Sequence, residues 1–534
     1  MPSAKTFNIS IKFILMSASK ILLLLILLIK SVIAPAQQRP NIIYIMSDDH
    51  DADAISAYNK QLLSTPNIDR LAKDGMLFTK AFVGNSICAP ARATLLTGQH
   101  SHKNGQKDNR TRFDSSILTM PKMLQQAGYQ TAIIGKWHLH SYPTGFDYWK
   151  ILPGQGFYYK PRLINMNGDT ATYNGYATDV ITDEAISWLG NVNKEKPFML
   201  LLHHKAPHRY FFPHLKYIKQ FVEKKFPEPS TLYNDANGKG SAWRLQTMRI
   251  LEDMQLCSDL KVDPYYLKDI PHLQPDSADI RYYDAIMNRL TESERLEAKL
   301  LYAERGKILK QLKPSGKELL AYKYLWYMQD FLACAASLDE NIGRVLDYLK
   351  EKDLEKNTIV VYTSDQGFYL GENGWFDKRF MYDVSMQIPL LVRWPGVIKP
   401  GSVSNALVQN IDFAPTFLDA ASVTVPQWMQ GKSLKPVLHN ARVKLPRKNL
   451  YYHFYEYYAD HTVLPHLGIR GKRFKLIYFY TVDEWELYDL KKDPREQQNL
   501  VSSRKYRKVF RSMKQQLQQA RNEYDDHEKA GELN

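Results

Sequence analysis

Five short apolar runs punctuate the chain: Asn41 to Met46, Thr131 to Ile134, Phe198 to Leu202, Thr358 to Tyr362 and Ile388 to Val392. Each has the length of a strand and is apolar on both faces, which fits a parallel sheet covered by helices on either side. Between the runs the period changes to three and four. The clearest case is Lys323 to Lys350, where Met328, Phe331, Leu332, Ala335, Leu338, Ile342, Val345, Leu346 and Leu349 fall on one helical stripe. An α/β sandwich follows from that alternation. Residues 214–320 interrupt it with a polar, mostly helical stretch, expected to be an insertion over one edge of the sheet. Around Gly431 to Leu438 the pattern changes again. From Leu450 onward YYHFYEYY and FKLIYFY read as aromatic strands, followed by a charged helix from about Ser502 to Glu528. The expected organisation is a principal α/β domain over 37–440 and a smaller C-terminal α+β subdomain over 441–534.

Residues 1–36 stand apart. Lys5, Lys12 and Lys20 precede the apolar run Ile21 to Ile29, and Ala34-Pro35-Ala36 then offers small residues at a cleavage-type site. That is the layout of a secretory signal peptide, so export to the periplasm or beyond is expected. The run is shorter than the ~20 residues of a spanning helix, and Lys30 interrupts it, so no stable membrane span is expected.

The full chain of 534 residues has a formal charge of +15, and losing the four lysines of this segment, which has no acids, leaves +11. A basic surface suits an anionic substrate. Nucleic acid is not expected as a partner, because no zinc-finger, helix-turn-helix or RNP-type pattern accompanies the scattered lysines. The three cysteines, Cys88, Cys257 and Cys334, are too few and too far apart for a disulfide framework.

The chemistry gathers where strands end. Ser47-Asp48-Asp49-His50, Gly135-Lys136-Trp137-His138, His203 to His208 and Ser364-Asp365-Gln366-Gly367 each follow an apolar run directly. In a parallel sheet these ends share one edge, the edge at which open α/β folds bind ligands. Asp48, Asp49 and Asp365 would then bring three carboxylates together, and a cation relieves their repulsion. Oxygen ligands, with the Gln366 amide adding a carbonyl, favour a hard ion, calcium or magnesium, over zinc. A lone acidic pair would read as a helix cap or a solvated turn; repetition at a second strand end favours a metal.

A further string, SICAPARATLLTG, runs from Ser86 to Gly98. Pro90 fits the first turn of a helix, which puts Cys88 at a helix N-terminus, where a lowered thiol pKa is expected. Cys88 to Arg92, CAPAR, resembles the CxPxR core of the type I sulfatases, and TLLTG fits that family's extension; the motifs recur in family order through nearly all of the chain after the leader. The resemblance implies an alkaline-phosphatase-like fold and a cysteine oxidised to Cα-formylglycine by a maturation enzyme. It makes Asp48, Asp49, Asp365 and Gln366 calcium ligands together with residue 88, although many relatives carry Asn or His where Gln366 stands. It implies that Arg92 holds the formylglycine hydrate and that Lys136 and His138 contact hydrate and substrate. His208 and Lys378 resemble the remaining sulfate-binding residues, with His208 suited to protonate the leaving oxygen; His50, His203 and His204 are expected in supporting positions.

The substrate implied is a sulfated saccharide. HHKAPHR, YYHFYEYYADH and LGIRGKRFKLI are similar to bacterial sulfatases of glycosaminoglycan or mucin sugars, often N-acetylglucosamine-6-sulfatases. His453, Glu456, His461, His466 and Arg470 are candidate sugar-binding residues, against the alternative that their strand is simply buried. Two other functions compete: a phosphatase or phosphodiesterase of the alkaline phosphatase superfamily, against which Cys88 argues since those enzymes use Ser or Thr, and a silent glycan-binding protein with an unmodified Cys88.

Overall fold

The computed structural model describes residues 39–235 and 239–528, so the expected leader lies outside the described residues. Among the described residues no helix is long and apolar enough to cross a membrane. Among the described residues the main sheet has ten strands: β1 (Asn41–Asp48), β2 (Met76–Phe78), β3 (Gln130–Lys136), β4 (Tyr148–Leu152), β5 (Arg162–Asn165), β6 (Thr170–Thr172), β7 (Phe198–Pro207), β8 (Thr358–Ser364), β9 (Leu390–Arg393) and β10 (Ser402–Ser404). They lie in the order β10-β2-β9-β8-β1-β7-β3-β4-β5-β6. From β8 to β4 every neighbouring pair is parallel, so these strands finish on one edge. The pairs β9–β8, β4–β5 and β5–β6 are antiparallel.

The predicted run Ile388 to Val392 is divided between two sheets. Gln387–Ile388 joins a three-stranded sheet with Ala81–Phe82 and Val408–Gln409, while Leu390–Arg393 enters the main sheet. Pro389 separates them because it has no N–H to give to a ladder.

The helices that build the layers are α1 (Cys88–Thr97), α2 (Ala177–Gly190), α3 (Glu292–Leu312), α4 (Gly316–Glu351), α5 (Phe413–Ala420) and α6 (Arg507–Tyr524). Because strand side chains alternate, Ile42, Tyr44 and Met46 of β1 join one core with Ala89, Ala93, Phe413 and Phe417 of α1 and α5. Ile43 and Ile45 join the opposite core with Ile181, Ala185 and Leu189 of α2 and Leu338, Ile342, Val345 and Leu349 of α4. Each of these fully buried aliphatic side chains of α4 contributes about 1.5–3 kcal/mol relative to an exposed one.

The long helix starts earlier than its stripe predicted, at Gly316, because the insertion gives its first half a separate partner. Tyr324, Tyr327 and Phe331 of α4 pack with Leu260, Val262, Tyr302 and Leu309 of the insertion in a third core. The expected cover over a sheet edge is thus a layer wrapped around α4 that also reaches the strand ends through Ala206, Phe368 and Phe376.

A smaller antiparallel sheet closes the fold, with strands β11 (Asn449–Phe454), β12 (His466–Gly471), β13 (Phe474–Phe479) and β14 (Glu484–Asp489) in sequential order. Alternation again divides its faces. Leu450, Tyr452, Phe454, Ile477 and Phe479 join the first core of the main sheet, while Tyr451, Leu467, Leu476 and Leu487 pack under Met513 and Leu517 of α6.

Candidate active site

The parallel register of β1 and β8 pairs Ser47 with Ser364. One residue further on, Asp48 and Asp365 therefore meet without any long excursion of the chain. Asp49 turns back with φ 67°, in the left-handed region that Asp tolerates better than most side chains, and its N–H donates to Asp365 Oδ1 at 3.2 Å. Carboxylate oxygens of Asp48, Asp49 and Asp365 all fall within 4.8 Å of one another, fully buried. On β3 the approach of β7 requires glycine at position 135: a Cβ there would lie 1.9 Å from the His203 carbonyl oxygen. The next residue, Lys136, delivers its ammonium to Asp48.

Cys88 opens α1, a helix of small residues that is buried along its whole length. Its Sγ lies 3.5 Å from Asp48 Oδ1, 3.6 Å from Gln366 Nε2 and 3.8 Å from Lys136 Nζ. One turn on, Arg92 Nη2 pairs with Asp365 Oδ2 at 2.8 Å and lies 3.8 Å from Asp48, while Nη1 donates to the Lys136 carbonyl at 2.8 Å. Lys378 Nζ pairs with Asp49 Oδ2 at 2.7 Å, and His208 Nε2 stands 3.7 Å from the same oxygen. His138 is one step removed, accepting from the Gln155 amide at 3.3 Å; the same Gln155 takes a hydrogen bond from Lys136.

These charges do not balance evenly. Burial opposes ionisation of Asp48, yet Lys136, with His208 and Arg92, holds its carboxyl well below the usual range. Burial and the Asp48 charge push Asp365 up to about 7 in spite of Arg92. Three carboxylates thus face three cationic side chains, Arg92, Lys136 and Lys378, and it is burial together with the crowding of the acids that leaves Asp365 raised. The Gln366 carbonyl oxygen is buried with no partner, and a flip of the amide turns it into the cluster. A set of carboxylate and amide oxygens fits a hard divalent cation. The expectation for Cys88 itself is corrected: burial, then Asp48, pushes the thiol up to about 12, so the helix terminus does not make an unmodified sulfur reactive.

The cluster opens into a cavity of about 580 Å³ lined by Cys88, His208 and Lys378 on the sheet side. Phe157, Tyr158, Tyr159 and Gln155 come from the loop after β4, and Tyr282, Ile286 and Arg289 from the insertion. Asp377, Arg379, Asp460 and His461 complete the wall, with Glu456 behind them pairing to Arg379.

Of the sugar-binding candidates, His461 reaches the cavity and pairs with Asp377 at 3.3 Å. The structure does not bring His453, His466 or Arg470 to it. His453 bonds Asp526 at 2.7 Å. His466 is fully buried between the Tyr452 and Phe454 rings and accepts the Met381 N–H at 3.0 Å. Arg470 pairs with Asp383 at 2.6 Å. Residues not singled out from the sequence line the cavity instead: Gln155, Lys205, Arg209, Asp377 and Arg379. Lys205 and Arg209 flank His208 within or beside the HHKAPHR segment, and Arg379 follows Lys378, so adjacency to a chosen residue was the available signal.

Sheet, cavity and converging charges define an α/β protein with a charged pocket at its strand ends. The family model "Sulfatase" matches residues 40–423, and "N-sulphoglucosamine sulphohydrolase, C-terminal" matches 371–523. An N-acetylglucosamine-6-O-sulfatase of Bacteroides thetaiotaomicron is 46% identical over 92% of this chain and 88% of its own. A solved structure, described as a complex with its substrate D-glucosamine-2-N,6-O-disulfate, superposes with a TM-score of 0.88 at 46% identity, covering 92% of this chain and 100% of that one. A phosphonate monoester hydrolase of Agrobacterium radiobacter shares the fold alone, with a TM-score of 0.65 at 21% identity over 91% of this chain and 96% of that one. The chain belongs to the sulfatase family and hydrolyses sulfate esters.

Proposed function

We propose that the ester is carried on a carbohydrate, a 6-O-sulfated N-acetylglucosamine or glucosamine of a glycosaminoglycan or mucin-type glycan, and that the enzyme works after export. The 46% identical relative and the disulfated glucosamine of the superposed structure support this substrate class. So does a cavity of about 580 Å³ with aromatic faces beside charged groups, a size suited to a small ligand. The lysine-led apolar run of residues 21–29 supports export.

The seat of Cys88 carries the mechanism: a helix-start side chain with Asp48, Lys136 and Gln366 all within 3.8 Å. In this reading Asp48, Asp49, Asp365 and Gln366 hold calcium, which would draw charge from the sulfuryl oxygens. A formylglycine at position 88, made by a maturation enzyme, would supply a hydrate with one hydroxyl to attack sulfur and a second to release sulfate. Arg92, fixed by Asp365 and the Lys136 carbonyl, orients that side chain. Lys136 and Lys378 flank the same point and stabilise charge on the sulfuryl oxygens, with His138 supporting Lys136 through Gln155. His208 protonates the departing sugar oxygen. Burial and the neighbouring Lys136 hold its pKa well below the ordinary value, and the negative sulfate ester supplies the charge that raises it.

The test is a panel of monosulfated sugars with the matured enzyme. Turnover of 6-O-sulfated glucosamines and no other regioisomer is the expected outcome. Preference for a 2-, 3- or 4-O-sulfate would overturn the substrate assignment.

A further inference from the structure

The orientation of His208 is fixed from outside the sheet. Its ring Nδ1 meets the Arg209 carbonyl oxygen, which also accepts from Lys205 Nζ at 3.4 Å. A carbonyl only accepts, so Nδ1 carries the hydrogen, and Nε2 is the nitrogen presented toward Asp49. Whatever holds the Arg209 backbone therefore decides which nitrogen faces the reaction centre and at what angle.

Two contacts from one segment of the insertion hold it. Asp259 grips the Arg209 guanidinium at two points, Nε to Oδ1 at 2.6 Å and Nη2 to Oδ2 at 2.7 Å, a pairing with strict geometry. Lys261 donates to the Phe211 carbonyl, two residues further along the same turn. The guanidinium lies over the Tyr210 and Phe376 rings, 4.8 and 5.0 Å from their centres. The gripping segment is itself anchored: Asp279 accepts the Cys257 and Ser258 N–H groups at 3.0 and 2.6 Å, and Arg305 bonds the Leu260 carbonyl at 2.7 Å. Asp259 is fully buried, so this pair is not weakened by solvent as a surface pair is.

We propose that Asp259, acting through Arg209, is a positioning residue for His208, so that the insertion tunes protonation of the leaving group as well as walling the cavity. The inference rests on the reading of His208 as proton donor. It separates two kinds of substrate: a sugar alkoxide needs a proton to leave, whereas a nitrophenolate does not.

The experiment measures kcat and KM of wild type, Asp259→Asn and His208→Ala on a 6-O-sulfated glucosamine and on 4-nitrophenyl sulfate. His208→Ala is expected to lose on the order of 10²–10³-fold in kcat on the sugar and little on the aryl ester. Asp259→Asn is expected to show the same split at about 10- to 100-fold, as for other orienting partners of a working histidine, with KM unchanged. Equal losses on both substrates in Asp259→Asn, or none on either, while His208→Ala shows the split, would overturn the proposal alone. No split in His208→Ala would overturn the reading beneath it. If Asp259→Asn does not accumulate as folded protein, Arg209→Lys carries the test, since it keeps the charge and loses the two-point grip; a uniform loss there counts against the proposal.

Discussion

Among the described residues, two of the clusters of buried charge are built differently. Behind the small antiparallel sheet, Lys475 is fully buried and pairs with Asp383 at 2.7 Å and Glu496 at 2.6 Å, while Arg470 holds Asp383 from the other side. At the strand ends of the main sheet, Asp48, Asp49 and Asp365 crowd one point with Arg92, Lys136 and Lys378 around them. A raised carboxyl occurs in both, since burial pushes Glu496 and Asp365 alike to about 7. A perturbed pKa is therefore no marker of a site by itself. What sets the strand-end cluster apart is that it opens on a cavity, whereas the other cluster joins two layers of the fold.

Mutations should separate the two, and the largest effect is expected at the open one. Cys88→Ala should cost on the order of 10⁴-fold or more in kcat, as loss of a nucleophile does, while thermal denaturation shifts stability by no more than about 1 kcal/mol. In the closed cluster the outcome should invert: Lys475→Met leaves the buried Glu496 without its cation and Asp383 with Arg470 alone, and should cost about 3–5 kcal/mol in a denaturant titration. The activity of the fraction that stays folded should be unchanged. Asp365→Asn comes next, with about 10²-fold lost in rate and partial recovery on adding excess calcium; recovery with zinc but not calcium would contradict the oxygen-ligand reading.

The smallest effect concerns pH. Burial holds His466 at about 3, far below an unfolded histidine near ~6.5. A depressed pKa gives stability that is present above the unfolded value and lost as pH falls toward the folded one. Between pH 6.5 and 4.5 this residue alone should remove about 2–3 kcal/mol, and melting curves of His466→Gln should show a shallower fall than wild type.

The same contrast explains what could be read in advance. β1, β3, β7 and β8 announced themselves because an apolar run followed at once by Asp, Lys or His is a local pattern, and parallel pairing then brings the ends together. Asp48 and Asp365 needed nothing more than that. His466 and Arg470 misled because alternation along β12 fixes which face a side chain takes but not what packs against it: aromatic rings for one and Asp383 for the other. Gln155 went unread since β4, YWKIL, mixes polar and apolar positions, so nothing marked the loop after it as a strand end at the cavity. The helix-start argument for Cys88 located the residue and expected a lowered pKa, whereas burial, then the Asp48 charge, pushes it up.

The account turns on one cation drawing together side chains from β1, β8 and the start of α1. The most direct measurement is a crystal structure of the matured enzyme grown with calcium. The expected result is one ion bound by Asp48, Asp49, Asp365 and Gln366 against an oxidised residue 88. An unaltered thiol at that position, with calcium bound elsewhere or not at all, would contradict it.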